Sequence, residues 1–215
     1  MASSIADIRR DYSLSTFDVN DIAKNPMNQF SKWWDDATNA NIDEVNAMTL
    51  VTVDGCYNPH ARIVLLKGFN KKGFIFFSNY DSDKGKEIDY KIGAALVFFW
   101  KELERQVRVE GNIEKISSAE SDAYFQSRPY ESKIAAWASP QSKKIKSRAV
   151  LEEKVEKMRA KFPDPNAVPR PKIWGGYIVE PEAIEFWQGR SNRLHDRIKY
   201  IRQLRNRWSI SRLAP

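Results

Sequence analysis

Apolar residues recur at helical spacing in the first well-patterned part of the chain, just after residue 25. Asn25-Pro26 predicts an N-cap followed by Pro at the first helical position. Phe30 and Trp33 share one side of the turns that follow, so the spacing predicts a helix over about 26–40 with a buried aromatic stripe. Core packing is the expected role of these rings.

Beyond this helix the pattern changes to short strand-like runs separated by turn residues. Strands are predicted at 48–53, 60–68, 74–79, 94–100, 105–116, 174–179, 184–187, 197–201 and 207–210. Helical patterns interrupt them at 82–90, 131–138 and 148–161, and a Ser117/Glu120 capping box opens another helix that Pro129 ends. This order predicts an α+β protein whose strands close or partly close into a barrel.

Composition places the chain among soluble globular proteins. Its 215 residues are 42% hydrophobic and 29% charged, which predicts one domain over 25–215 after a partly mobile arm at 1–24. No apolar run reaches the roughly 18 residues that a membrane helix needs, and residues 1–12 are too charged for a secretory signal. We therefore expect a cytoplasmic protein with no membrane partner.

The net charge of +7 raises the alternative of a nucleic-acid-binding barrel that uses Trp and Arg as stacking platforms. Acidic residues are interleaved with the basic ones, and no basic block of five or more occurs. Small phosphorylated ligands explain the surplus equally well, so we expect no nucleic-acid partner.

Three segments bring cations together with aromatic or hydroxyl groups. In the first, Arg62 and Lys67 enclose four apolar residues, which suits an anion at a barrel rim or simply two solvated surface cations. In the second, Tyr124 and Arg128 are four residues apart and Pro129 precedes Ser132, so a phenol, a guanidinium and a hydroxyl converge on one anion. A packed Tyr with a surface Arg is the alternative interpretation.

The third segment is 184–197, where Trp187, His195, three arginines and two carboxylates crowd a strand, a Gly turn and the start of a second strand. Ion pairs with Glu185 and Asp196 would account for the arginines without any ligand. The identities of the residues favour a binding site for an anionic or aromatic guest.

Glu-Phe-Trp-Gln-Gly at 185–189, Arg-Leu-His-Asp-Arg at 193–197 and the closing Arg-Leu-Ala-Pro resemble the signature of the pyridoxamine/pyridoxine 5'-phosphate oxidases. The resemblance extends over 8–215. It implies a split β-barrel, a homodimer with shared active sites, and FMN as cofactor. It also implies oxidation of pyridoxine or pyridoxamine 5'-phosphate to pyridoxal 5'-phosphate, with O2 as acceptor and H2O2 released.

The resemblance assigns roles to individual residues. It implies FMN contacts at Arg62, Ile63, Val64, Leu65, Lys67, Phe77, Ser78, Lys84, Gln106, Gln141, Ser142, Trp187 and Arg197. It implies substrate contacts at Arg9, Tyr12, Lys67, Tyr124, Arg128, Ser132, Arg193 and His195, of which Arg193 and His195 are the catalytic pair. Asp83 stands where many relatives carry Arg, so we leave it out of the site.

A second flavoprotein function also remains open. A related split-barrel reductase or flavin-storage protein would bind FMN without acting on vitamin B6 phosphates. The joint presence of Tyr124, Arg128, Ser132, Arg193 and His195 argues against this alternative.

Overall fold

The computed structural model describes residues 4–7 and 11–215, except for the side chain of residue 206. In this part of the chain the α-helices are α1 (Pro26–Asn39), α2 (Asp83–Tyr90), α3 (Ser118–Gln126), α4 (Tyr130–Ala138) and α5 (Arg148–Lys161). The strands are β1 (Ala47–Val53), β2 (Pro59–Leu65), β3 (Gly68–Phe69), β4 (Phe74–Asn79), β5 (Gly93–Trp100), β6 (Arg105–Lys115), β7 (Trp174–Gln188), β8 (Asp196–Gln203) and β9 (Arg207–Leu213).

The strands hydrogen-bond in the order β2-β1-β5-β6-β7-β4-β3, while β8 pairs with both β7 and β9. The β3–β4, β4–β7, β7–β8 and β8–β9 pairs are all antiparallel. Antiparallel strands with helices inserted between them confirm the predicted α+β class.

Two compact units divide the chain. The terminal unit is Met1–Leu50, Ala95–Gly111 and Pro181–Pro215, and the central unit is Val51–Ala94 and Asn112–Glu180. The single domain predicted for 25–215 stays a prediction.

Aromatic packing organises the terminal unit. Asn25 caps α1 by accepting the Met27 backbone N–H at 2.8 Å, as the sequence predicts. Phe30 is fully buried against Phe98, with ring centroids 5.1 Å apart. Trp33 meets Phe186 edge to face at 5.2 Å, so the predicted aromatic stripe is core.

The N-terminal segment contacts the same unit. Phe17 is buried beside Trp33, and its backbone N–H donates to Asp196 at 3.0 Å. The Leu14 N–H donates to Glu104 at 3.1 Å. The mobility of the arm as a whole stays a prediction.

In the central unit, β4 lies between β3 and the first half of β7, with Asn79 opposite Trp174. Helices α4 and α5 cover a core cluster, and Val155 and Met158 of the predicted α5 stripe pack against it. The buried members of this cluster are Phe125, Ile134, Val168 and Trp174.

Two strand boundaries differ from the prediction. The expected strands at 174–179 and 184–187 are one strand, β7, whose first part pairs with β4 and whose second part pairs with β8. Pro181, which has no N–H to donate, lies between the two ladders, so it marks a change of partner rather than a break. The expected strand at 60–68 is also divided, into β2 and β3, and Lys67 lies in the gap.

No helix in the described ranges combines the length and apolarity needed to cross a membrane.

Gly85, in the first turn of α2, lies against another segment of backbone. A Cβ at this position would lie 2.0 Å from the Tyr80 carbonyl oxygen. Alanine favours helix over glycine by about 1 kcal/mol, but such an overlap costs about 1–3 kcal/mol. We therefore expect Gly85→Ala to lower the midpoint of urea unfolding.

Gly93→Ala is the matched control, because a Cβ there meets nothing within 4 Å. It should leave the midpoint nearly unchanged. A Gly85→Ala protein as stable as the wild type would contradict the steric argument.

Candidate active site

A cavity of about 890 Å³ opens in the central unit, and most of the residues predicted for the site line it. The predicted residues in its wall are Arg62, Ile63, Val64, Leu65, Lys67, Phe77, Ser78, Lys84, Tyr124, Arg128, Ser132 and Gln141. The wall contains four cations and, among its residues, no Asp or Glu. Such a lining suits an anionic ligand.

Arg62 projects from the middle of β2, and a buried polar pair fixes its guanidinium. Nη2 donates to the Glu87 carboxylate at 2.9 Å, and Nη1 donates to the Thr52 hydroxyl, which itself donates to Glu87. Thr52 is fully buried and Glu87 nearly so. The sequence pattern placed Arg62 at a strand end, whereas the structure places it inside β2.

Lys84 lies beside Arg62 at the start of α2, whose N-cap is Ser82. Burial and the positive charge of Arg62 hold the pKa of Lys84 below its usual value. The Gln141 amide oxygen accepts from Lys84 Nζ at 3.3 Å and from Ser78 Oγ at 3.4 Å. An ammonium and a hydroxyl of the cavity wall therefore converge on one acceptor oxygen.

Tyr124, Arg128 and Ser132 line the cavity through a helix–turn–helix. The prediction that Tyr124 and Arg128 share a face of one helix is wrong, because α3 ends at Gln126 and Arg128 follows its C-cap. A residue before Pro avoids helical backbone, which explains why α3 stops short of Arg128. Pro129 then caps α4, so Ser132 lies in that helix's first turn, as predicted.

The Arg128 guanidinium is half-buried, and its Nη1 is fully enclosed without a hydrogen-bond partner in the described structure. Burial lowers the pKa of Arg128 and raises that of Tyr124. The guanidinium carbon lies 4.5 Å from the centre of the Trp174 ring. An unsatisfied buried donor in a cavity free of acids is the site's most direct indication of an anion.

The second group of predicted residues lies in the terminal unit, around His195. The His195 ring lies 4.6 Å from the Trp187 ring and 6.0 Å from the Tyr12 ring. Burial and the charge of Arg193 lower the pKa of His195. The Arg190 backbone N–H donates to His195 Nδ1 at 3.1 Å, so the neutral ring carries its proton on Nε2.

Gly189 makes room for Tyr12 in this cluster. A Cβ on Gly189 would lie 2.8 Å from Tyr12 Cβ, and the Ser191 hydroxyl donates to the Tyr12 carbonyl at 3.1 Å. Arg193 is exposed and has left-handed backbone, with φ of 61°.

Comparison with known proteins gives a consistent family. Residues 34–162 match the family model described as pyridoxamine 5'-phosphate oxidase, and 174–215 match its C-terminal dimerisation region. The chain is 55% identical over 213 residues to pyridoxine/pyridoxamine 5'-phosphate oxidase 1 of Ralstonia nicotianae, covering 99% of this chain and 100% of the relative. A Paraburkholderia phytofirmans protein of the same name is 53% identical over 214 residues, with the same coverage.

The chain belongs to the pyridoxine/pyridoxamine 5'-phosphate oxidase family.

Solved structures of similar proteins confirm the split-barrel fold. PhzG from Burkholderia lata 383, in complex with tetrahydrophenazine-1-carboxylic acid, superposes with a TM-score of 0.87 at 27% identity, covering 94% of this chain and 100% of PhzG. An FMN-binding protein from Nostoc punctiforme, related to pyridoxamine 5'-phosphate oxidase, has a TM-score of 0.72 at 18% identity, covering 90% and 100%.

The other predicted residues that the structure describes lie outside the cavity wall of this oxidase-family chain. Gln106 is half-buried on β6, and Arg197 on β8 donates to Glu185 at 2.9 Å and to the Ala214 carbonyl at 2.8 Å. Ser142 is exposed with φ of 68°. Arg9 lies outside the described residues. Their roles stay predictions.

Sequence reasoning missed several residues of the cavity wall. Apart from Trp174, the missed residues are small or polar and carry no composition signal: Asn79, Ser127, Pro129, Ala135, Ala136 and Ser139. Trp174 is the first residue of a predicted strand, and its aromatic side chain was the only sequence signal that could have identified it as part of a binding site.

His195 gives a pH-dependent prediction. Because Arg193 opposes protonation of the ring, Arg193→Ala should raise the pKa of His195, although burial should still oppose its charging. Imidazole proton resonances followed against pH by NMR measure this shift, and a His60→Asn variant assigns the only other histidine. A His195 pKa that is unchanged or falls in Arg193→Ala would contradict the assigned cause.

Proposed function

We propose that this protein oxidises pyridoxine 5'-phosphate and pyridoxamine 5'-phosphate to pyridoxal 5'-phosphate, with FMN as cofactor and O2 as electron acceptor, releasing H2O2. The observation that carries the proposal is the enclosed Nη1 of Arg128, which has no partner in the described structure and lines an acid-free cavity beside Tyr124 and Ser132. A phosphate dianion supplies the acceptor oxygens that such a donor set requires. Family membership supports the identity of the substrates.

A second group of donors in the cavity wall fits a phosphate-bearing flavin. Arg62, Ser78 and Lys84 line the same wall, and Ser78 and Lys84 already converge on the amide oxygen of Gln141. These three residues would hold the FMN phosphate, and Phe77 offers an aromatic surface nearby. When bound, FMN supplies the acceptor for the hydride equivalent that leaves the substrate.

We assign binding and orientation to the chain's own residues. Lys67, Tyr124, Arg128 and Ser132 hold the substrate phosphate, and they thereby restrict how the pyridine ring is presented. Arg193 provides a positive charge near the reacting carbon. His195 acts as an orienting donor rather than a base, because its Nδ1 is occupied by the Arg190 N–H and its proton is on Nε2.

We also propose a homodimer with shared active sites. The match of 174–215 to a dimerisation region supports association of two copies. Strands β8 and β9 in this region expose Ile201 and Ile210, which offer apolar surface to a second subunit.

Two observations on purified protein test the function. The visible absorption of oxidised flavin is expected in the purified sample, and peroxide release is expected when pyridoxamine 5'-phosphate is added. Flavin without peroxide would favour the reductase or flavin-storage alternative. Absence of flavin, together with no turnover after FMN is supplied, would reject the proposal.

The proposed division of labour predicts different kinetics for two arginine variants. Arg128→Ala removes a charge-assisted phosphate contact worth about 1.5–3 kcal/mol, so KM should rise about 10- to 150-fold with little change in kcat. Arg193→Ala should lower kcat as well, because it removes charge stabilisation at the reacting carbon. Equal effects of the two variants on kcat would contradict this division.

A further inference from the structure

Arg128 is held in the cavity wall by aromatic rings rather than by acids. Its guanidinium carbon lies 4.5 Å from the Trp174 ring centre and 5.6 Å from that of Phe125. No Asp or Glu is among the residues lining the cavity. A ring face attracts a guanidinium through its quadrupole and leaves the N–H groups available as donors.

Burial, strand pairing and a hydrogen bond to its carbonyl fix the position of Trp174. It is only 7% exposed and opens β7 opposite Asn79 of β4. Arg170 Nη1 donates to the Trp174 carbonyl at 2.5 Å, while the other nitrogens of Arg170 donate to Asp122 at 2.6 Å and to Ser118 at 2.7 Å. The backbone that carries the indole is therefore tied through Arg170 to the first two turns of α3.

The same indole belongs to a set of nearly parallel rings. Phe77 and Tyr124 stack with centroids 3.8 Å apart, and the Trp174 ring is inclined by 13° to Phe77 and by 5° to Tyr124. Tyr124 and Arg128, two of the proposed phosphate ligands, are thus both oriented against one tryptophan. A carboxylate in its place would neutralise Arg128 and occupy its donors.

We propose that Trp174 is a positioning residue for Arg128 and that it sets the selectivity of the cavity for phosphorylated over unphosphorylated ligands. The proposal rests on the proposed function, because it takes the Arg128 subsite to be the substrate's phosphate site. Trp174 acts by fixing the guanidinium without pairing its charge. The full charge and the enclosed Nη1 then remain for a dianion.

Calorimetric titration with 4-deoxypyridoxine 5'-phosphate tests the proposal without turnover, because this analogue has a methyl group in place of the 4-hydroxymethyl group and so cannot be oxidised to the aldehyde in the same way as the substrate. On FMN-loaded protein, Trp174→Leu should raise Kd for the analogue about 3- to 30-fold, the range expected for loss of a partly desolvated cation–π contact. Trp174→Phe, which keeps a weaker ring face, should give a smaller rise. Kd for unphosphorylated 4-deoxypyridoxine and for FMN should stay within twofold of the wild type.

Trp137→Leu is the matched control. Trp137 packs on the same core cluster and has Lys161 over its ring at 5.3 Å, but it does not line the cavity. This variant should lose stability without changing selectivity between the two analogues. Urea unfolding of all variants separates a packing effect from a binding effect.

A double-mutant comparison identifies the route of the effect. In an Arg128→Ala background, Trp174→Leu should not weaken binding of the phosphorylated analogue further, because the residue that it positions is gone. An equal loss in both backgrounds, or an equal loss for both analogues, would overturn the proposal. A separate assay tests the proposed function itself: if the wild type released no peroxide on addition of pyridoxamine 5'-phosphate, the proposed function would fail whatever the binding results.

Discussion

The cavity of the central unit depends on burying part of its positive charge without pairing all of it with carboxylates: Arg62 is paired with Glu87, whereas the Arg128 guanidinium packs against aromatic rings. Removing a charged group from water is unfavourable unless something nearby compensates it. Lys84 and Arg128 show this cost directly, since burial lowers the pKa of each. Lys84 donates to amide and hydroxyl oxygens while Glu87 and Asp83 only partly offset its charge, and Arg128 packs against aromatic rings. The cavity therefore keeps a positive potential that an anion can complete.

Cations elsewhere in the central unit are treated differently. Lys72 bridges Glu114 and Glu180, and its pKa is raised by these hydrogen bonds. Arg159 pairs with Glu131 and Glu156 on exposed helix surfaces. Exposed pairs of this kind contribute little to stability and bind nothing further. The contrast with the acid-free cavity wall separates surface charge from binding charge.

Local patterns were sufficient to predict the elements but not their partners. The 26–40 helix, the strand at 74–79 and the helix at 148–161 follow from capping and periodicity, and the structure has them at almost the same bounds. Periodicity could not reveal that β7 continues through Pro181, because that depends on pairing with β4 and then β8. Nor could it place Arg128 beyond the end of α3.

The candidate site was predictable mainly from residue identity. Arg62 is far in sequence from the pair Tyr124 and Arg128, and only the resemblance to one family grouped these two segments before the structure placed them around one cavity. The Trp174–Arg128 contact spans 46 positions and has no sequence signature. Its recognition required the ring geometry.

Helix α2 influences the positions of two cations in the cavity wall, Lys84 and Arg62. It carries Lys84 itself and, one turn later, Glu87, the carboxylate that orients Arg62. Because Lys84 and Glu87 belong to one short helix, a shift of α2 would move the Lys84 ammonium directly and would also move the carboxylate that holds the Arg62 guanidinium, which projects from β2. The distance between the two cations therefore depends on how α2 is seated against β2, and a ligand that needs a different distance would have to break the Arg62–Glu87 contact or displace the helix.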